Sequence, residues 1–556
     1  MRRSLSAMLY AAAMVLAPTA RAEPNPVAPA ASSPAPAPAA PHLIVAIAVD
    51  QFSADLFVQY RQHFTGGLAR LLKGAVFPSA YQSHAATETC PGHSTILTGD
   101  HPARTGIIAN MWFDPGIARA DKRIYCAEDE RDPASTSGQP VVSAVHLMVP
   151  TLGEWMKRAD RRSRNVAVSA KDRAVMMMGG HQIDEAYWYL KGQFVTLKGH
   201  SLAPAAEGVN RELAATISRG AAVLPAPPWC AARDRAVAVG RSTVGQGRFA
   251  LPKGDTDAFR ASPRMDGATL DLAAWLVRDM GLGRGTAPDL LSISLSATDY
   301  IGHAFGNEGL EMCLQMARLD AGLGAFFARL DSAHLDYAVM LTADHGGLDL
   351  PERLNQQALP DAERVDPALS PGALGKALGA QLGITSAGPL VYGDGPFGDL
   401  YLSRAIPPAQ RERALVVLAT LVSAQPQVAA VFAGAQLAPM PLPDGNPQDW
   451  SLKQRARASF DPARSGDLVV LLNRGVVPIA QPAPGIVATH GSPWDYDRRV
   501  PLLFWRKGLA GFEQPAPVET VDIAPTLAAL LGLKLPAGTF DGRCLDLDGG
   551  VGDTCR

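Results

Sequence analysis

The chain has 556 residues, 53 of them Asp or Glu against 51 Lys or Arg, and 47% are apolar. It is long enough to bury a large core, and although it exceeds an average domain, a large α/β enzyme with inserted segments can use most of this length as one unit. A formal charge of −2 argues against a protein that holds nucleic acid through phosphate contacts.

The chain begins MRRSLSAMLYAAAMVLAPTARA: two arginines, an apolar run and small residues ending at Ala22. That is the form of a secretory signal, residues 1–22, and the apolar run is too short to span a bilayer. Its removal deletes Arg2, Arg3 and Arg21 and no acid, taking the charge from −2 to −5. Residues 23–41 are Pro/Ala-rich and read as an extended linker. The expectation is a periplasmic or secreted protein with no membrane span after cleavage, its folded part running from 42 to 556. Export makes disulfides reasonable for the six cysteines, none of which has CxxC spacing. Cys544 and Cys555 are the best pair, and the partners of Cys90, Cys126, Cys230 and Cys313 cannot be deduced.

LIVAIAVD, residues 43–50, is a continuous apolar, β-branched run ending in Asp50, as a buried parallel strand would be. Asp50 either caps the next helix or is a ligand at the carboxyl end of the strand, where open α/β sheets keep their functional residues. A helical pattern follows over 54–72. Next comes TETCPGHST, where Thr89 directly precedes Cys90, Pro91, Gly92 and His93. A Pro-Gly turn there would open a helix and present backbone N–H groups to an anion. Threonine needs a base, a lowered pKa or a metal to act as a nucleophile.

NVAVSAKDRAVMMM, residues 165–178, reads as a strand with Lys171 and Arg173 on one face. Those cations mark either a solvated edge or a site. Residues 289–306 begin as a strand and end with Asp299 and His303 one helical turn apart, and 337–347 end in Asp344 and His345 before two glycines. Three strands each ending in Asp, two with His added, form a pattern that isolated caps do not explain. His490 precedes another apolar strand, 500–505, and 520–533 reads as an amphipathic helix with Pro525 in its first turn. The Pro/Gly-rich stretches 111–164, 180–285 and 350–480 are expected to be insertions that cover or extend the core sheet.

Asp50, Asp299, His303, Asp344, His345 and His490, with the Thr89 hydroxyl, are a ligand set suited to zinc and large enough for two ions. Two adjacent metals suit an in-line phosphoryl displacement.

The motifs VDQF, TETCPGHST, GIIAN, SAKDRA with GGH and AYW, SATDYIGH, TADHGG and THGSPW resemble, in order and over nearly the whole mature chain, the alkaline phosphatase superfamily. The subgroup they resemble is the exported bacterial enzymes with a threonine nucleophile, the PafA and PhoK types, related to type I phosphodiesterases and nucleotide pyrophosphatases. The resemblance implies a doubly wound, mostly parallel α/β sheet flanked by helices, with inserted cap segments. It implies that Asp299, His303 and His490 hold one Zn2+ and that Asp50, Asp344, His345 and Thr89 hold a second, and it leaves room for Ca2+ at an additional site, whose binding the sequence does not decide. Thr89 would form a phosphothreonine intermediate, while Asn110, Lys171, Arg173 and the Cys90 backbone N–H hold the phosphoryl oxygens of a phosphate monoester. The expected protein is a monomeric alkaline phosphatase acting on small-molecule monoesters.

Three other enzymes and one non-enzyme are the rivals. A sulfatase would have arginine where His93 stands. A phosphodiesterase or nucleotide pyrophosphatase shares the threonine but has no use for Lys171 and Arg173 as its main activity. Phosphoethanolamine transferases carry membrane helices, and a non-catalytic phosphate or metal scavenger would show a damaged ligand set.

Overall fold

The computed structural model describes residues 40–357, 360–550 and 552–555. The signal segment and all but the last two linker residues lie outside them. Residues 40 onward belong to one compact unit, built around a ten-stranded sheet.

Five neighbouring strands of that sheet are parallel: Tyr337–Thr342, Leu43–Val49, Asp289–Leu295, Asn165–Ser169 and Glu185–Leu190. The first four are buried along their whole length, so helices must cover both faces. This is why they read as unbroken apolar runs. Each buried aliphatic side chain contributes roughly 1.5–3 kcal/mol, which lets the sheet hold charged groups at its ends. Register brings those ends level: Val49 lies beside Leu295, Ala48 beside Thr342, and Ser294 beside Ser169. Strand Arg499–Arg506 runs antiparallel between Tyr337–Thr342 and Ala75–Tyr81, and Gln193–Val195 closes the other edge antiparallel. The architecture is α/β with a mostly parallel sheet flanked by helices.

Residues 111–125 contain a short hairpin, Met111–Phe113 against Arg123–Tyr125. Residues 185–195 extend the main sheet, and Pro263–Met280 is a long helix leading into Asp289–Leu295. A separate four-stranded sheet lies within 391–472, packed around Leu374, Leu378, Leu418, Leu468 and Val470.

Two expected elements are broken. The helix over 54–72 is instead Ala54–Tyr60, a 3₁₀ turn Arg61–His63, and Gly67–Leu71. The Asp320 carboxylate accepts from the N–H groups of Thr65, Gly66 and Leu68 and so caps a fresh helix start where a continuous helix would have run. The strand over 165–178 ends at Ser169, and Asp172–Gly179 is a helix. Ser169 Oγ accepts from the Lys171 N–H, which turns the chain out of the strand. Lys171 is therefore the helix N-cap and Arg173 sits in the first turn, rather than both lying on a strand face.

Candidate active site

Thr89 is the first residue of a ten-residue helix, Thr89–Thr98, with Glu88 at its N-cap. The helix start is pressed onto the end of strand Tyr337–Thr342: a Cβ at Gly92 would lie 2.0 Å from the Asp344 carbonyl oxygen. Only glycine allows that approach. The strand ends then supply Asp50, Asp299 from the helix after Asp289–Leu295, and Asp344. Gln51 has φ 61°, a left-handed conformation that strains a non-glycine residue. Its N–H donates to Asp344 Oδ1 at 3.0 Å, tying two strand ends together.

Two clusters result. In one, Asp299 Oδ1 lies 3.3 Å from His303 Nε2 and 3.4 Å from His490 Nε2. In the other, Asp50, His93 and Asp344 come together, with His345 Nε2 3.3 Å from Asp344 Oδ2. His345 also stacks on His490 with ring centroids 3.6 Å apart, so the clusters abut. Every predicted ligand is brought to this one place.

The donor set fits metal ions on an observation independent of residue type. Asp299 Oδ1, Asp344 Oδ2 and His345 Nε2 are buried without a hydrogen-bond partner, which natural proteins rarely leave unexplained. The imidazoles are also oriented as ligands. His303 Nδ1 faces the Ala488 carbonyl at 2.9 Å, His490 Nδ1 that of Thr87 at 2.8 Å, and His345 Nδ1 that of Gly346 at 2.8 Å. A carbonyl only accepts, so each Nδ1 carries the proton and each Nε2 a lone pair.

His93 is the residue that sequence reasoning missed in this role. Its Nε2 is 3.3 Å from Asp50 Oδ1 and its Nδ1 3.2 Å from Asp344 Oδ2 and 2.9 Å from the Thr89 carbonyl. With Nε2 toward Asp50 and Nδ1 toward Asp344, the ring spans the two inner carboxylates and acts as a clamp between them, whereas His303, His345 and His490 each turn Nε2 toward a single carboxylate. The signal was present: His93 lies four residues after Thr89, the spacing that singled out Asp299 and His303. Burial alone would lower the His93 pKa, but Asp344 and Asp50 raise it to about 9. His490 is pushed down to about 3 by burial and by the neighbouring His345. Burial would raise the Asp299 carboxyl, yet Lys171 and His303 hold it well below the usual range.

Lys171 is buried between the clusters, its Nζ 2.5 Å from Asp299 Oδ2 and 3.0 Å from Asp50 Oδ2. Lys171 Nζ and Arg173 Nη2 each lie 3.4 Å from Thr89 Oγ1. Asn110 Oδ1 accepts from the Cys90 N–H at 2.8 Å. That N–H, expected to face substrate, is therefore spent on Asn110, and Asn110 Nδ2 is the donor left for a ligand. Cys90 itself is in a disulfide with Cys126, and the other bridges are Cys230–Cys313 and the expected Cys544–Cys555. Asn110, Arg173, His303 and His490 line a cleft of about 890 Å³ walled by Phe305, Phe397 and Ile486.

Residues 44–493 match type I phosphodiesterase/nucleotide pyrophosphatase. The chain belongs to that family. It is 53% identical over 518 residues to alkaline phosphatase PhoK of Sphingomonas sp, covering 93% of this chain and 92% of the relative. It is 48% identical over 517 residues to alkaline phosphatase PhoD of Zymomonas mobilis, covering 92% and 89%. The crystal structure of wild-type alkaline phosphatase PafA superposes with a TM-score of 0.79 at 23% identity, over 92% of this chain and 99% of that one, which establishes the shared fold. The protein is thus an alkaline phosphatase, an enzyme that hydrolyses phosphate esters, and its candidate ligand groups fit the divalent-metal use that this class implies. No described helix is long and apolar enough to cross a membrane.

Proposed function

We propose that the enzyme hydrolyses phosphate monoesters by double displacement through a phosphothreonine at Thr89, as an exported monomer acting in the periplasm or outside the cell. The observation that carries the monoester reading is the pair of cations, Lys171 and Arg173, each 3.4 Å from the Thr89 hydroxyl. A monoester dianion brings a third charged oxygen that needs such donors, whereas a diester brings a second organic group that needs room and apolar contact.

The proposed ions are two Zn2+, one on Asp299, His303 and His490 and one on Asp50, Asp344, His345 and Thr89; Ca2+ at an additional site rests on the resemblance alone. When bound, such ions lower the pKa of the nucleophile's hydroxyl and stabilise charge on the leaving oxygen. Thr89 Oγ1 attacks phosphorus, the Oγ–P bond forms, and the bond from phosphorus to the leaving oxygen breaks. Water then attacks the phosphothreonine, releasing inorganic phosphate and restoring the threonine. Through both steps Lys171, Arg173 and Asn110 Nδ2 hold the non-bridging oxygens, the start of the Thr89–Thr98 helix adds its positive end, and His93 keeps the two inner carboxylates in place.

The test is the ratio of kcat/KM for 4-nitrophenyl phosphate to that for bis-4-nitrophenyl phosphate, measured on enzyme stripped with chelator and refilled with zinc. The expected ratio is on the order of 10² or more and appears only with zinc. A ratio near one would move the enzyme to diester chemistry and remove the assigned role of the cation pair.

A further inference from the structure

The base of the 111–125 hairpin is held against the nucleophile helix by several independent links. Its first strand follows Asn110, and its second ends at Tyr125, directly opposite Met111. The Cys126 N–H donates to the Asn110 carbonyl at 3.0 Å. The Asn110 N–H donates to Glu88 Oε2 at 2.7 Å, and Asn110 Oδ1 accepts from the Cys90 N–H. Covalently, Cys126 is joined to Cys90, the residue after Thr89, and both cysteines are fully buried. From the same base Tyr125 Oη donates to Asp172 Oδ1 at 2.6 Å, and Asp172 lies between Lys171 and Arg173.

We infer that the Cys90–Cys126 disulfide is a specificity-determining staple: it holds Asn110, and through Tyr125 the Lys171–Arg173 turn, in register with Thr89, so that the protein favours a phosphoryl group with three free oxygens. The inference rests on the monoester reading above. Asn110 sits on a loop, not on a strand of the main sheet, so its distance from Thr89 depends on these links. An amide misplaced by about 1 Å loses much of its value to a transition state. The staple acts through Asn110 and touches no substrate, which makes Cys126 a positioning residue.

The experiment is a cycle built from Cys90→Ala/Cys126→Ala, Asn110→Ala and the combination, each assayed on both nitrophenyl esters with zinc content and Tm recorded. Removing the disulfide is expected to lower monoester kcat/KM about tenfold and diester kcat/KM by less than about twofold, with zinc content unchanged. Asn110→Ala should cost about tenfold or more with the staple present and less than about threefold without it. Cys544→Ala/Cys555→Ala, which opens a bridge remote from the site, should leave both activities as they are. An equal cost of Asn110→Ala in both backgrounds would overturn the staple while leaving the monoester reading intact; no cost in either would overturn both. Should the disulfide-free protein not fold, Tyr125→Phe supplies the second reading: it is expected to lower the monoester to diester ratio about threefold at unchanged zinc content, and an unchanged ratio would remove the link to the cation turn.

Discussion

The two ligand clusters are built alike, from strand ends and the helices that follow them, yet they differ in access. The His303 side chain is 25% exposed and that of His490 7%, whereas the side chains of Asp50, His93, Asp344 and His345 are all at 0%. The outer cluster faces the cleft; the inner one is sealed under the helix Thr89–Thr98. One architecture therefore gives two settings, one open to the cleft and one closed off from it.

The largest expected effect belongs to the inner side. Thr89→Ala should reduce turnover on the order of 10⁴-fold or more while zinc content, read by elemental analysis, stays at the wild-type value. Wild-type turnover in that variant would remove the nucleophile from the inner cluster. Next come the ligands. His345→Ala and His490→Ala should each lose one zinc, but the inner change also opens a cavity in a fully buried site and leaves the Asp344 carboxylate without its neighbour there, a loss of about 3 kcal/mol. Thermal unfolding should show His345→Ala as much the less stable variant, and equal Tm values would erase the distinction between the clusters.

A smaller effect is visible in pH. In metal-free protein the folded pKa of His93 is about 9, above its ordinary 6.5. Stability from its protonation is thus fully present below pH 6.5 and lost as pH rises through 9, at most about 3 kcal/mol. His490, whose folded pKa is about 3, is neutral in the folded state across that window, and the last protons its unfolded form sheds near pH 6.5 change stability by less than about 0.5 kcal/mol. His101, raised to about 10 by Asp541 and Glu519 against its burial, contributes with or without metal. The measurement is therefore the difference in Tm between stripped and zinc-loaded enzyme, which should widen between pH 6.5 and 9; a constant difference would unseat the clamp role of His93. The smallest expected effect is kinetic: under chelator one zinc per chain should leave several times faster than the other, and His303→Ala should remove the fast phase alone.

The central strands were legible because burial on both faces writes itself as an unbroken apolar run, and most of the candidate ligands stood out because they follow such a run; His490, which precedes one, did not. What stayed hidden depends on distant partners. The break after Tyr60 is made by Asp320, more than 250 residues on, and no local pattern announces it. The turn at Lys171 depends on one hydroxyl, Ser169, inside a segment whose apolar character continues from strand into helix. Cys544 and Cys555, 11 apart, could be paired by proximity, whereas Cys90 and Cys126 are 36 apart and Cys230 and Cys313 83 apart, so only the fold brings them together. The site residues were expected as ligands and donors by type, and the fold brings them together; what their side chains hold in turn, such as the use of the Cys90 N–H by Asn110, is a matter of angles that a sequence does not contain.

The imidazoles of His303, His345 and His490 are all steered by main-chain carbonyls, at Ala488, Gly346 and Thr87. Every residue type supplies the same carbonyl, so the orientation of these rings survives substitution of the side chains at the steering positions. The neighbourhood of the site can therefore drift, or be redesigned, without a coordinated second change to keep the rings aimed. The vulnerability moves elsewhere, to whatever displaces the backbone itself, and insertions or deletions near 87 and 488 are where such a protein would be least forgiving.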